Sequence, residues 1–535
     1  MKRLAFLVPY FLLFSLISAC RSVDRYNAHI DSEISIKKQL KDIDYIQKKL
    51  IKNHPKLDLY TAQSQVDLKF DSLKKTITRS IKPNDFFLKT NAIIAQLKHG
   101  HTDVYPLYKK NKKSEVKRLK NTIGPFSQIT TFWQNDSLYV VQATVKDSVL
   151  KPGANILAVD GISPQQLKEK YQAAVYGDGE NKTYLENRLN RTFFNNYYLL
   201  ENGLKDSINV DVLYKGKKYK TVVKRFTKPE EKKKEKPSKK DSVKQPTSNK
   251  PKTNKLKLYN FSFNKTTKAY ARSLSFPTND STFAVLKINT FSYGNFKKDY
   301  QSIFKIIADY KVKNLVLDLR NNGGGRLVDA YQLFAYLCPN QDEFLTHQII
   351  KSPSSFKRTL VDISPKYLKP IVFPVSYLAF LLTKKNKANE YEIKPSLSCI
   401  KTSSNPADAY HGNLYVMING GSYSASATIS ANLKGLNRAF FVGEETGGDA
   451  NGTVAGLMPN YQLPNSKLKF TIGTIYLTPK YYQTDTIGHG IYPNQVIKTT
   501  LNDKLNRVDP QLKWIVKDVK NNNAELKKVV KQTSK

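Results

Sequence analysis

Apolar residues recur at helical spacing through Ile34–Ile51 and again through Phe86–Leu97, which predicts a mostly helical region over residues 20–120. Pro83-Asn84-Asp85 marks a helix start, with Asn84 or Asp85 as the expected N-cap. From residue 121 the period shortens. Ser137–Thr144 alternates, Pro152–Gly161 reads as turn, short apolar strand and second turn, and Ile208–Leu213 and Tyr219–Arg225 read as closing strands. Helical stretches at Gln165–Ala174 and Tyr184–Leu200 interrupt them, giving a mostly β unit over 121–227. Lys228–Lys257 holds twelve Lys, four acids and four Pro with almost nothing apolar. Such a segment cannot bury enough surface to offset its ordering entropy, so a disordered linker is expected.

Beyond Leu258 strands and helices alternate: Thr282–Thr290, Phe296–Tyr310, Lys313–Leu319, Leu327–Leu337, Leu414–Ile418, Ser426–Leu436 and Phe440–Val442. This alternation predicts an α/β domain, residues 258–515, with parallel strands covered by helices, and leaves 516–535 as a C-terminal tail. Ile371–Leu382 is apolar but only twelve residues long, with Pro374 and Ser376 inside it. It is too short to span a bilayer and is read as a buried core segment.

The 535 residues carry 87 Lys and Arg against 44 Asp and Glu, a formal net charge of +43. Three cysteines exclude a disulfide-stapled fold. The charge first suggests nucleic acid or an anionic membrane, and the amino terminus decides between them. Met1-Lys2-Arg3 is basic, Leu4–Ala19 is nearly all apolar, and Ile17-Ser18-Ala19-Cys20 closes the run. That is the layout of a secretory signal peptide, residues 1–19, and it resembles a bacterial lipobox with Cys20 as the lipidated residue. An exported protein anchored by lipid in the cell envelope, at the outer membrane or periplasmic face, is expected. Its charge then suits an anionic membrane surface, and no nucleic-acid partner is expected. Cys338 and Cys399 could pair; their spacing does not decide it.

Three loops carry residue types suited to chemistry. Asn321-Asn322-Gly323-Gly324-Gly325 follows a predicted strand, and successive glycines let backbone N–H groups face an anion, although a tight turn needs the same residues. Gly420-Gly421-Ser422-Tyr423-Ser424-Ala425-Ser426 lies between a strand and a helix N-terminus. A nucleophile there would sit beside unpaired N–H groups and a positive helix end, though any of the three serines could be a simple cap. Lys98-His99-Gly100-His101-Thr102-Asp103 holds two of the seven histidines, the residue type whose pKa suits a serine's base. No H-E-x-x-H or comparable spacing suggests a metal, and no cofactor is expected.

Together these stretches resemble the tail-specific, or C-terminal-processing, serine peptidases in the broad sense that includes tricorn-like proteases. The matching blocks are Leu97-Lys-His-Gly-His-Thr102, Leu317-Asp-Leu-Arg-Asn-Asn-Gly-Gly324, Asn419-Gly-Gly-Ser-Tyr-Ser-Ala-Ser426, Val442-Gly-Glu-Glu-Thr-Gly-Gly448 and Gly488-His-Gly-Ile-Tyr-Pro-Asn494. Pro152–Gly161 resembles the interior of a PDZ domain. The resemblance implies an α+β multidomain chain: an N-terminal helical region, a PDZ-like β domain and a crotonase-like α/β catalytic domain with a mixed sheet. It implies Ser424 as nucleophile, His101 as general base, and the N–H groups of Ala425 and of Gly323 or Gly324 as the oxyanion hole. Asp318 and Arg320 would be structural. The substrate implied is a polypeptide, laid alongside the site as an added strand.

The sequence departs from the family pattern at three places. The position of the lysine base used by many members is Asp449, which disfavours a Ser/Lys mechanism. The position of the orienting glutamate is Ile487, leaving Asp485 and His489 as candidate orienting residues. No clear Gly-Leu-Gly-Phe-type loop opens the PDZ-like region; Phe126–Ile129 is a weak substitute. The expectation is an exported serine endopeptidase acting through an acyl-enzyme. The alternative is an inactive peptide- or ligand-binding lipoprotein on the same scaffold.

Overall fold

The computed structural model describes residues 23–145, 147–227, 258–278, 280–394 and 406–530. The signal segment, Cys20, the linker 228–257 and Cys399 lie outside the described residues. Cys338 is a buried free thiol, pushed up to about 12 by that burial.

A seven-stranded sheet forms the centre of the C-terminal part. Its order is Gln495–Val496, Phe440–Gly443, Asn413–Ile418, Asn314–Asp318, Phe283–Ile288, Ala269–Ser275 and Tyr259–Asn264. The first five are mutually parallel and the last two join through antiparallel pairings, so the sheet is mixed. Strand alternation sends side chains to both faces. Leu315, Leu317, Val416 and Ile418 meet Ile303, Phe304, Phe334 and Ile429 of the helices Phe296–Asp309, Leu327–Leu337 and Ala425–Gly435. Val316, Tyr415 and Met417 meet Ile515 and Leu526 on the other side. Residues 516–530 are therefore not a loose tail: they complete the helix Pro510–Lys520 and form Ala524–Val530, covering the second face of the sheet.

Two charged clusters hold this sheet at its functional end. Arg272 is fully buried between Asp299, at 2.7 Å, and Asp329, and stacks over the Tyr300 ring at 4.8 Å. Asp329 lies in the first turn of Leu327–Leu337, so the pair fixes the helix that follows the glycine loop. Removing one partner of such a pair would leave a buried charge uncompensated. Arg320 forks onto Asp318 and onto Asp509, which caps Pro510–Lys520. Both residues are structural here, as expected.

The N-terminal region is helical, with Ile36–Asn53, Gln63–Lys75, Pro83–Ala95 and Lys113–Lys120. The cap of the third helix differs from expectation. Pro83 is its first residue and Lys82 the N-cap, because the Asn84 side chain is used elsewhere, exchanging two hydrogen bonds with the Leu107 backbone. Residues 129–224 form a five-stranded antiparallel sheet in chain order, occupying the stretch compared above with a PDZ domain. Beside a two-stranded ribbon of Thr122–Ile123 and Phe226–Thr227, two further antiparallel sheets are present among the described residues. One joins Asp103–Tyr105 to Lys469–Thr471 and Asn460–Gln462. The other runs Thr383–Lys385, Tyr391–Ile393, Leu345–Ile350, Ile475–Pro479 and Thr453–Ala455.

The run Ile371–Leu382 is not a buried core segment. Only Ser376 and Ala379 turn inward, while Ile371, Phe373, Tyr377, Leu378 and Leu381 are exposed. The reason is local: Pro370 and Pro374 break the run into short turns, and the inward positions fall on small residues.

Candidate active site

The parallel strands Asn314–Asp318 and Asn413–Ile418 pair residue for residue, and both candidate loops leave their carboxyl ends side by side. Cross-bonds then lock the loops together. The Ser422 hydroxyl donates to Leu319 O at 2.8 Å, Tyr423 N–H to Asn322 O at 3.1 Å, and Asn321 N–H to the Asn419 side chain at 2.9 Å. Gly324 has φ +95°, and a Cβ there would come within 2.7 Å of Ser424 Cβ and 2.9 Å of Ala425 N. No other residue fits so close to the serine turn.

This geometry separates the three serines. Ser422 is buried and spends its hydroxyl on the loop lock, and Ser426 is buried inside the helix. Ser424 is the partly exposed one. It occupies the N-cap position of Ala425–Gly435 yet makes no side-chain cap bond, with φ 58° and ψ −123°. A non-glycine residue held at positive φ carries strain, and here the strain turns the hydroxyl out of the helix end. Ala425 N–H is the first, unpaired donor of the helix. The two glycines differ as partners for it. Gly324 N–H already donates to the Asn322 side chain at 3.0 Å, whereas Gly323 is exposed and its N–H makes no hydrogen bond among the described residues. Gly323 and Ala425 are thus the open donor pair.

His101 reaches this loop from a distant part of the chain. The strand that follows it, Asp103–Tyr105, pairs with Lys469–Thr471. Its imidazole stacks on the Tyr423 ring, centroids 4.7 Å apart, directly before Ser424 in sequence. His101 Nδ1 lies 3.0 Å from the Tyr423 hydroxyl and 3.1 Å from the Thr453 hydroxyl. Burial pushes the imidazole down to about 4, so it is neutral at pH 7. His101 makes no hydrogen bond to Ser424 among the described contacts, which leaves Nε2 uncommitted. His99 turns the other way, donating to Leu57 O at 3.3 Å and packing on buried His54 at 4.2 Å.

The acid that shares both hydroxyl partners of this imidazole, Asp178, carries no signal in the sequence. Asp178 sits in a loop with Gly177 and Gly179, wedged between the His101 loop and the Gly488 loop. Gly179 N–H donates to Lys98 O, and Glu180 N–H to Gly488 O. Gly179 has φ +64°, and a Cβ there would lie 2.1 Å from Gly488 Cα. Asp178 is buried. Its Oδ1 accepts from Gly100 N–H at 2.9 Å and from the Tyr423 hydroxyl at 3.3 Å, and its Oδ2 accepts from the Thr453 hydroxyl at 2.8 Å. Burial pushes it up to about 6.

The residues examined as orienting groups lie elsewhere. Asp485 is exposed, and His489 Nδ1 faces Glu445 at 3.3 Å and the Tyr492 hydroxyl at 2.8 Å. Neither bonds to His101. Asp449, at the lysine position, accepts from Tyr60 and from Gly488 N–H, both at 2.8 Å, and from Asn451 N–H. It is buried near Asp178 and is pushed up to about 6, mainly by that burial and further by the Asp178 charge. Among the described residues no group of His, Cys, Asp and Glu could hold a metal ion. Beside the site, a cavity of about 720 Å³ is lined by Tyr105, Tyr176, Tyr184, Arg188 and Lys469.

Residues 282–497 match the family model described as peptidase family S41. Over nearly the whole chain the fold is similar to that of mature CPAF, at 16% identity and a TM-score of 0.56, covering 91% of this chain and 98% of that one. The complex of mature CPAF with lactacystin gives 16% identity and a TM-score of 0.57, covering 92% of this chain and 99% of that one. No curated protein sequence matches the chain. The matched segment holds Gly323, Ser424 and Ala425, while His101 and Asp178 lie before it. The serine turn and its open donors thus lie inside the segment that matches peptidase family S41.

Proposed function

We propose that this chain is a serine peptidase that cleaves polypeptides through an acyl-enzyme, with Ser424 as nucleophile, His101 as base and Asp178 as the positioning acid. The observation that carries the reading is the joint placement of a strained, uncapped Ser424 against the glycine loop, at Gly324, with the His101 ring stacked on the preceding residue. Ser424 Oγ attacks the scissile carbonyl and His101 Nε2 takes its proton. The carbonyl oxygen becomes an oxyanion held by Ala425 and Gly323 N–H. His101 then returns the proton to the leaving amine, and water hydrolyses the ester by the same steps.

Asp178 contributes through hydrogen-bond bookkeeping. An ionised carboxylate only accepts, so the hydroxyl protons of Tyr423 and Thr453 both point to Asp178. Each hydroxyl then has only lone pairs left for His101 Nδ1, so Nδ1 must carry the imidazole proton. That tautomer leaves Nε2 as the basic nitrogen. When Asp178 is protonated, a hydroxyl is released to donate to Nδ1, and the base is lost.

The export reading rests on the sequence of residues 1–20. Cys20→Ser should abolish incorporation of radiolabelled fatty acid into the chain; incorporation that persists overturns it.

Ser424→Ala should remove labelling by a fluorophosphonate probe and lower peptide hydrolysis on the order of 10⁴-fold or more. Hydrolysis that persists in this variant contradicts the assignment, and absence of both activities in the wild type favours a binding protein.

The acidic limb of kcat/KM should fall as pH drops through the value of about 6 at which Asp178 takes up its proton. Asp178→Asn should lower kcat about 10²-fold and remove that limb, with partial rescue by Asp178→Glu. An unchanged pH profile in Asp178→Asn would count against the role; Asp449 and Tyr60 adjoin the same buried cluster, so Asp449→Asn is the control.

A further inference from the structure

The chain carries a second feature outside the catalytic centre. Residues 363–389 contain five lysines and no Asp or Glu. Their amphipathic order is inverted: Ser376, Ala379 and Thr383 turn inward, and the large side chains face out. Tyr367 is 78% exposed, Ile371 65% and Leu381 66%, with Phe373, Tyr377 and Leu378 each about half exposed. Lys357, from the neighbouring helix Pro353–Ile363, places its ammonium 3.1 Å from the Tyr377 ring centroid. A contiguous apolar surface of this kind on a water-soluble fold marks an interaction site.

We propose that this face docks on the surface of an anionic bilayer. Three features select that occupant. Outward aromatic residues among aliphatic ones suit the headgroup boundary, where their rings are half apolar and half wet. Lysines beside them keep their stems on the apolar surface while their ammonium groups reach lipid phosphates. A second copy of the chain would instead bring two acid-free, lysine-bearing faces together on molecules that already carry +43 each. No helix among the described residues is long and apolar enough to cross a membrane, so the docking is interfacial. The segment is tied to the sheet that supplies Thr453, through Thr383–Lys385 and Tyr391–Ile393, which would hold the active site at a set distance from the lipid surface. This inference uses no catalytic residue and stands apart from the peptidase mechanism.

The test places an environment-sensitive fluorophore at Leu378→Cys in the full chain carrying Cys20→Ser and Cys399→Ser, which removes lipidation and leaves only the buried Cys338 as a second thiol. Vesicles containing phosphatidylglycerol should shift its emission to the blue, neutral vesicles should do so far less, and molar salt should reverse the shift. Lys366→Gln with Lys387→Gln should lower the partition coefficient roughly 30-fold, at about fivefold per lysine. Emission unchanged while the chain still sediments with vesicles overturns the proposal, because another part of the chain then binds. A blue shift that grows with protein concentration in the absence of vesicles also overturns it, in favour of a second copy.

Discussion

The strands Asn314–Asp318 and Asn413–Ile418 lie parallel and paired from end to end, and their carboxyl ends must therefore release two loops at one place. The placement of the serine turn against the glycine loop follows from this register. A slip of one residue would turn the buried alternation of Leu315, Val316 and Leu317 inside out, so the register is fixed by both layers of the core. The cross-bonds from Ser422, Tyr423 and Asn321 then convert two flexible turns into one rigid unit. Gly324 is the point of closest approach, and its missing side chain is what allows the serine turn to sit against the glycine loop.

The imidazole and its acid are supplied by other parts of the chain. His101 comes from the loop after the helix Pro83–Ala95, held by a three-residue strand pairing across hundreds of positions. Asp178 comes from the connection between the strands Asn155–Val159 and Ser207–Tyr214 of the antiparallel unit and bonds to both neighbours of the imidazole. Neither residue lies within the segment that carries the family match. The serine turn and its open donors are local products of one domain, while the placement of His101 and Asp178 depends on the docking of three regions. Burial at their junction keeps His101 neutral and holds Asp178 near the point of protonation.

Much of this was legible in the sequence because it is periodic or local. The alternating strands, the mixed α/β domain and the two strand-end loops each declare themselves within a few residues. Asp178 did not, because its only local mark is a pair of flanking glycines, and its partners lie far away in sequence. The family pattern points to the region of Ile487 for an orienting acid; there Asp485 is exposed and His489 is occupied by Glu445. Ile371–Leu382 was misread for a different reason. Hydropathy records what side chains prefer, and two prolines together with small inward residues decided which way they face. The Pro83 helix start was placed correctly, but its cap was not, since Asn84 is drawn to the Leu107 backbone.

The central claim is that Asp178, acting through two hydroxyls, fixes the proton of His101 on Nδ1 and leaves Nε2 to receive the serine proton. Nitrogen-15 NMR of histidine-labelled protein at pH 8 reads this tautomer directly, with assignment by loss of the signal in His101→Gln. The account predicts a protonated Nδ1 and a bare Nε2 for His101 in the wild type, changing toward the other tautomer in Asp178→Asn. A wild-type His101 protonated on Nε2 would contradict it.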